Sequence, residues 1–210
     1  MKFTCFIDAS SYINLSIDDC YLNGKTLLNI LESHTTIKFS SKVNYEISRH
    51  HNPKMPSSLS RSSKVYRLSH RRIGTYIKYE ENLFDIVSTS TGNNIGEKHN
   101  LAALIDCYLQ NKTKGLIYLT DDQKALRGIL NEPISSFPIC QIWNSFDVIL
   151  YLYLENKHFD VDIAKSAVRT LNAIISKNQN PQTDPRKTQE RLKVFKDYNI
   201  RLDRIKKIKN

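Results

Sequence analysis

Phe3-Thr4-Cys5-Phe6-Ile7-Asp8-Ala9-Ser10-Ser11 is the stretch that decides how this chain is read. An apolar run ends on a carboxylate, and small residues follow it. Aromatic and branched side chains suit a strand covered on both faces, so residues 3–7 read as buried strand. In a parallel α/β sheet the residue just past such a strand stands at the carboxyl edge, where ligand sites collect. Asp8 therefore has two readings: an acid of a functional site, or the N-cap of a helix spanning about 10–15.

Outward from this strand the pattern alternates. Residues 29–32 and 42–49 carry helical spacing, and 37–39 reads as strand. Further on, 83–87 reads as strand, 97–110 as helix, 116–120 as buried strand, 123–131 as helix, 139–142 as a last strand and 145–154 as helix. The alternation predicts βαβα units: an α/β fold with a parallel β-sheet of about five strands flanked by helices. From Phe159 onward the strand signal stops, residues 163–176 show helical spacing, and Asn178-Gln179-Asn180-Pro181 is a turn cluster. The expected division is a domain over 1–157, with a basic insert at about 47–79, and a helical, basic C-terminal extension over 158–210.

Charge narrows the partners. Lys and Arg total 31 against 21 Asp and Glu in 210 residues, a formal net charge of +10, so the surface attracts polyanions and nucleic acid is the first partner to consider. Residues 47–79 hold eight Lys and Arg, three His and no acid. That stretch is either an RNA-facing surface or a solvated helical hairpin, and Arg49, Lys54, Arg61, Lys64, Arg67, Arg71 and Arg72 are its candidate phosphate contacts. Tyr66 and Tyr76 lie inside it and offer rings for stacking, although packing accounts for most tyrosines. His50 and His51 beside Arg49 read as phosphate or solvent contacts. Residues 181–210 carry ten Lys and Arg against four acids, with an intermittent apolar face, as in a basic amphipathic helix or a tail.

No run reaches the roughly 20 apolar residues of a spanning helix, so no membrane partner is expected. Residues 1–15 hold a single Lys, and Asp8 interrupts their apolar stretch, which makes a poor secretory signal. Cys5, Cys20, Cys107 and Cys140 show no Cys-x-x-Cys spacing, as expected of reduced thiols in a cytoplasmic protein.

Further acids follow the same placement as Asp8. Glu46 lies four residues after Lys42, with Val43 and Ile47 on one helical face. Glu97 opens a helix after Asn93-Asn94-Ile95-Gly96, where an acid also complements the helix dipole. Asn100 is three residues on and on the same side, placed to hold a water; Asp106 falls on the opposite side. Asp121 and Asp122 follow the apolar run 115–120, where adjacent acids are disfavoured unless a cation or a helix cap uses them. Magnesium and manganese are hard cations that bind carboxylate and water oxygens, so several acids at strand ends fit Mg2+ or Mn2+ better than a Cys or His cluster would.

Phe6-Ile7-Asp8-Ala9-Ser10, then Val43-Asn44-Tyr45-Glu46-Ile47, then Gly96-Glu97, then Leu119-Thr120-Asp121-Asp122 through Leu126-Arg127 resembles the ordered motif series of PIN-domain ribonucleases, over roughly residues 1–155. The resemblance implies a metal-dependent endoribonuclease that hydrolyses RNA phosphodiester bonds with Mg2+ or Mn2+. It implies Asp8, Glu46, Glu97 and Asp122 as catalytic acids, with Asp8, Glu97, Asp121 and Asp122 toward the metal. Ser10 and Arg127 are implied as supporting groups, and the position of Asn100 adds it to them. Many small PIN domains are toxins of toxin–antitoxin pairs and many pair as dimers, so an antitoxin or other protein partner and a homodimer are expectations too. The long insert and the extension depart from compact members, which leaves RNA processing and a defence system open as roles. The alternative is a catalytically silent PIN-like module that binds RNA or protein. A flap-endonuclease type would need a Gly-rich helix-hairpin-helix element, which the sequence lacks.

Overall fold

In the computed structural model the described residues are 2–17, 24–50, 57–69, 71–72, 95–111, 115–122, 140–178 and 185–209. The expected strand 83–87, the expected helix 123–131, and Lys54, His51, Tyr76 and Arg127 lie outside them.

Five parallel strands form one sheet in the order β3-β2-β1-β4-β5: β1 Phe3–Ile7, β2 Thr35–Ser40, β3 Val65–Tyr66, β4 Leu116–Leu119 and β5 Gln141–Trp143. β1 is central. Cys5 lies opposite Ile37 of β2 on one side and Ile117 of β4 on the other. The chain leaves β1 toward one edge through β2 and β3, then returns to the other side of β1 with β4. The carboxyl ends of β1 and β4 therefore flank the point where strand order reverses, the place at which open α/β sheets form a crevice. β4 is buried along its whole length, which explains its uninterrupted apolar sequence. At its start Gly115 takes φ +91°, and a Cβ there would press on the Phe3 ring at 2.7 Å.

Helices α1 Ala9–Ser16, α2 Leu27–His34, α3 Ser41–Ser48, α4 Ser58–Ser62 and α5 Ile95–Asn111 alternate with the strands. α3 starts where β2 stops because Ser40 accepts a hydrogen bond from the Val43 amide at 3.2 Å. Thr26 and Asn29 cap α2 reciprocally: the Asn29 amide donates to Thr26 Oγ1 at 3.1 Å and the Thr26 amide to Asn29 Oδ1 at 3.2 Å. α5 packs on β1, β2, β4 and α3, and the small Ala102 and Ala103, fully buried, let it approach the sheet. Phe6, Leu104, Cys107, Leu116 and Tyr118 complete this core, with Tyr66, Leu101 and Ile142 against it.

The chain groups into two units, 1–13 with 32–144, and 14–31 with 145–210. The second contains α6 Ser145–Glu155, α7 Val161–Asn178 and α8 Pro185–Lys209. α6, which the sequence pattern assigns to a domain ending near 157, thus groups with the C-terminal helices. Asp160 caps α7 by accepting from the Asp162 and Ile163 amides, both at 2.9 Å. Tyr198 of α8 stacks on Phe146 at 5.1 Å and donates to Asp147 Oδ1 at 2.7 Å. On α8, Phe195, Tyr198, Leu202 and Ile205 turn inward at helical spacing, whereas Leu192, Ile200 and Ile208 are exposed. No helix among the described residues is long and apolar enough to cross a membrane.

The basic insert corrects the sequence reading. Part of it is sheet, because Val65 and Tyr66 pair with Phe39 and Ser40 at the edge. Lys64 is half-buried and paired with Glu32. Arg72 reaches the buried Asp106 at 3.4 Å, and Tyr66 donates to the same carboxylate at 2.8 Å while its ring meets Phe6 edge-on. Tyr66 is therefore a core ring rather than a stacking surface. Arg61 is half-buried, and Arg49, Arg67 and Arg71 face solvent.

Candidate active site

Asp8 caps the helix that follows it and also lines a cleft. It leaves β1 with its amide donating to Leu119 O at 3.0 Å, and its carboxylate caps α1, accepting from the Ser11 amide at 2.7 Å. The other oxygen, Oδ2, accepts from Ser10 Oγ at 3.0 Å and from Thr120 Oγ1 at 2.5 Å. At 5% exposure the charge is nearly desolvated. Burial, and then the neighbouring Asp121 charge, push its pKa up to about 6 against the opposing hydrogen bonds.

Thr120 couples the two strand ends. Its hydroxyl donates to Asp8 and accepts from the Asp122 amide at 3.1 Å, while its own amide donates to Trp143 O at 3.0 Å. One buried side chain thus fixes the first acid and the main chain of the last.

Glu97 stands in the first turn of α5. Its pKa rises to about 7, first through burial and then through the charges of Asp122, Asp8 and Glu46, against a lowering hydrogen bond from its own amide. Glu46 comes from α3, and its carboxylate lies against Gly96. Partial burial raises its pKa and the Lys42 charge, one turn earlier, opposes the rise.

Asp8, Ser10, Glu46, Glu97 and Asp122 line one cleft of about 340 Å³, together with Ala9, Ile13, Val43 and His50. Asp121 is absent from this lining and acts on the site through its charge on Asp8. Asn100 is not among the residues that line the cleft. It is fully buried, donates from Nδ2 to Ile7 O at 3.0 Å and accepts at Oδ1 from the Ser40 amide at 2.9 Å, so it ties the carboxyl ends of β1 and β2 to α5. Asp106, on the far side of α5, serves Tyr66 and Arg72 instead.

Among the described residues no three His, Cys, Asp or Glu side chains close on a single point as a ready cation cage. The donors nevertheless fit a hydrated hard cation, which takes one or two carboxylates and keeps several waters. Asp8 and Glu97 raise each other's cost of ionisation, and no Lys or Arg lines the cleft among the described residues. A divalent ion would relieve that repulsion. Asp8, Glu97 and Asp122 are the residues placed to hold it.

No protein-family model matches this chain, and neither curated proteins nor solved structures give a significant match.

Proposed function

We propose that this chain is a metal-dependent endoribonuclease of PIN-like architecture, hydrolysing RNA phosphodiester bonds with Mg2+ or Mn2+. The observation that carries the reading is the set of four carboxylates, Asp8, Glu46, Glu97 and Asp122, around one cleft at the strand-order reversal, with Asp8 and Glu97 both held far above ordinary carboxylate pKa values. Acids gathered so closely are unfavourable for folding alone and suit a site whose charge is completed by a ligand.

Bound there, Mg2+ or Mn2+ would neutralise phosphate charge and make a water a stronger acid than it is in bulk. Asp8, aligned by Ser10, Ser11 and Thr120, gives a fixed anchor. Glu97 and Asp122 approach from α5 and the end of β4. Glu46, the most exposed of the four, is placed to accept a proton from a water at the cleft mouth. Exposed Arg49, Arg67 and Arg71 grip backbone phosphates without reading sequence.

Cleavage of end-labelled single-stranded RNA by wild type, Asp8→Ala and Asp122→Ala in Mn2+, Mg2+ or EDTA tests the proposal. Metal-dependent cleavage by wild type alone is the expected result. Equal RNA binding by all three proteins with no cleavage would replace the nuclease with a silent RNA-binding module.

A further inference from the structure

α3 separates two clefts. Val43 and Glu46, with His50 just past the helix end, face the acidic one, whereas Ser41 and Asn44 of α3 line a second cleft of about 360 Å³, closed by Ser62, Val65, Arg67 and Leu68. The second cleft differs in chemistry. It is lined by a cation, two hydroxyls, one amide and two aliphatic side chains, and by no carboxylate among the described residues. Asn44 Oδ1 is buried and has no hydrogen-bond partner among the described residues. Buried acceptors of this kind are uncommon and unfavourable, and they point to a donor brought by a ligand.

The ridge between the clefts has its own character. Lys42, Tyr45 and Arg49 stand at i, i+3 and i+7 on one helical face, all exposed, and the Tyr45 ring is 61% open to solvent. A ring flanked by cations suits an unpaired nucleic-acid strand, stacking one base and holding the adjoining phosphates.

We propose that the second cleft is a nucleotide subsite, holding one base of a single-stranded RNA that crosses the α3 ridge from the acidic cleft. This deepens the nuclease reading and rests on it for the identity of the strand. Asn44 turns to bring Oδ1, buried in the free chain, to an N–H on the base edge, Val65 and Leu68 pack on the base face, and Arg67 takes a phosphate. Each of the four RNA bases carries an N–H on its Watson–Crick edge, so the subsite senses that a base is present and unpaired rather than which base it is. In a duplex those edges are occupied, which makes the subsite selective for single strands.

The test is fluorescence anisotropy of full-length protein in EDTA with three labelled 10-mers: oligoadenylate, a base-free ribose-phosphate strand, and an RNA duplex. Wild type binds oligoadenylate most tightly. Asn44→Ala lowers that affinity roughly threefold to tenfold and leaves the base-free strand unchanged, while Arg67→Ala weakens both. Tyr45→Ala, a change at an exposed position that leaves the fold intact, gives the same base-dependent loss. Equal wild-type affinity for base-bearing and base-free strands, equal losses for both in Asn44→Ala, or no RNA binding at all overturns the subsite. With the metal chelated, binding is read apart from catalysis. Cleavage in Mn2+ without base-dependent binding removes the subsite alone, and base-dependent binding without cleavage removes the nuclease reading alone.

Discussion

The Glu46 carboxylate lies against Gly96, so that a Cβ on residue 96 would meet Oε1 at 2.5 Å and Oε2 at 2.7 Å. The Gly preceding Glu97 therefore makes room for the acid of a different helix. What such a Cβ would strike is the tip of a flexible side chain, which can swing away at little expense. Gly96→Ala should leave thermal stability within about 1 kcal/mol of wild type, since Ala favours helix over Gly by about that amount. It should also lower RNA cleavage at least tenfold by displacing Glu46. Thermal melting and cleavage rates on the same preparation check both halves, and full activity would remove Glu46 from the mechanism.

Asp8 and Glu97 are raised to about 6 and about 7. Between the ordinary carboxylate pKa and these values the folded chain binds more protons than the unfolded one. Without metal, stability should thus fall as pH rises from about 4 through 7 and level off above. Asp8→Asn should flatten that fall and exceed wild type at pH 8 by on the order of 3 kcal/mol, from a shift of about two pKa units on a buried group. Urea titrations at several pH values measure it. Mn2+ should stabilise wild type above pH 7 far more than at pH 5, and a metal effect independent of pH would contradict these acids as ligands.

Asn100→Ala should cost about 3 kcal/mol, because the Ile7 carbonyl and the Ser40 amide would lose their buried partner. Denaturant unfolding reads this directly. A variant of unchanged stability but poor activity would instead return Asn100 to the role of holding a water.

Salt dependence separates the basic residues. Arg49→Ala and Arg67→Ala should each reduce the slope of log affinity against log salt by about 0.7 on single-stranded RNA. Lys64→Ala should leave the slope unchanged, because Lys64 is already paired with Glu32, and should lower stability by roughly 1–3 kcal/mol by stranding that largely covered carboxylate.

The sheet was legible wherever burial on both faces imposes a continuous apolar run. The strand expected over 3–7 is the strand observed, and β4 ends one residue short of the expected 116–120. Asp8, Glu97 and Asp122 stood out because each follows a strand or lies in the first turn of a helix, whereas Glu46, inside α3, was read from the order of the motifs. β3 was hidden, since two residues between Lys64 and Arg67 carry no period of their own. The roles of Asn100 and Asp106 were hidden for another reason. Their partners lie 93 and 60 residues away for Asn100 and 40 and 34 for Asp106, and only the closed fold brings them together. Thr120 was quoted in the motif that ends on Asp122, but its bond to Asp8 was hidden because the two lie 112 residues apart.

Asp8 starts α1 with the same carboxylate that faces the cleft. Helix formation alone would hold an acid at position 8 whether or not the cleft does any chemistry, so an intact Asp8 is by itself poor testimony to activity.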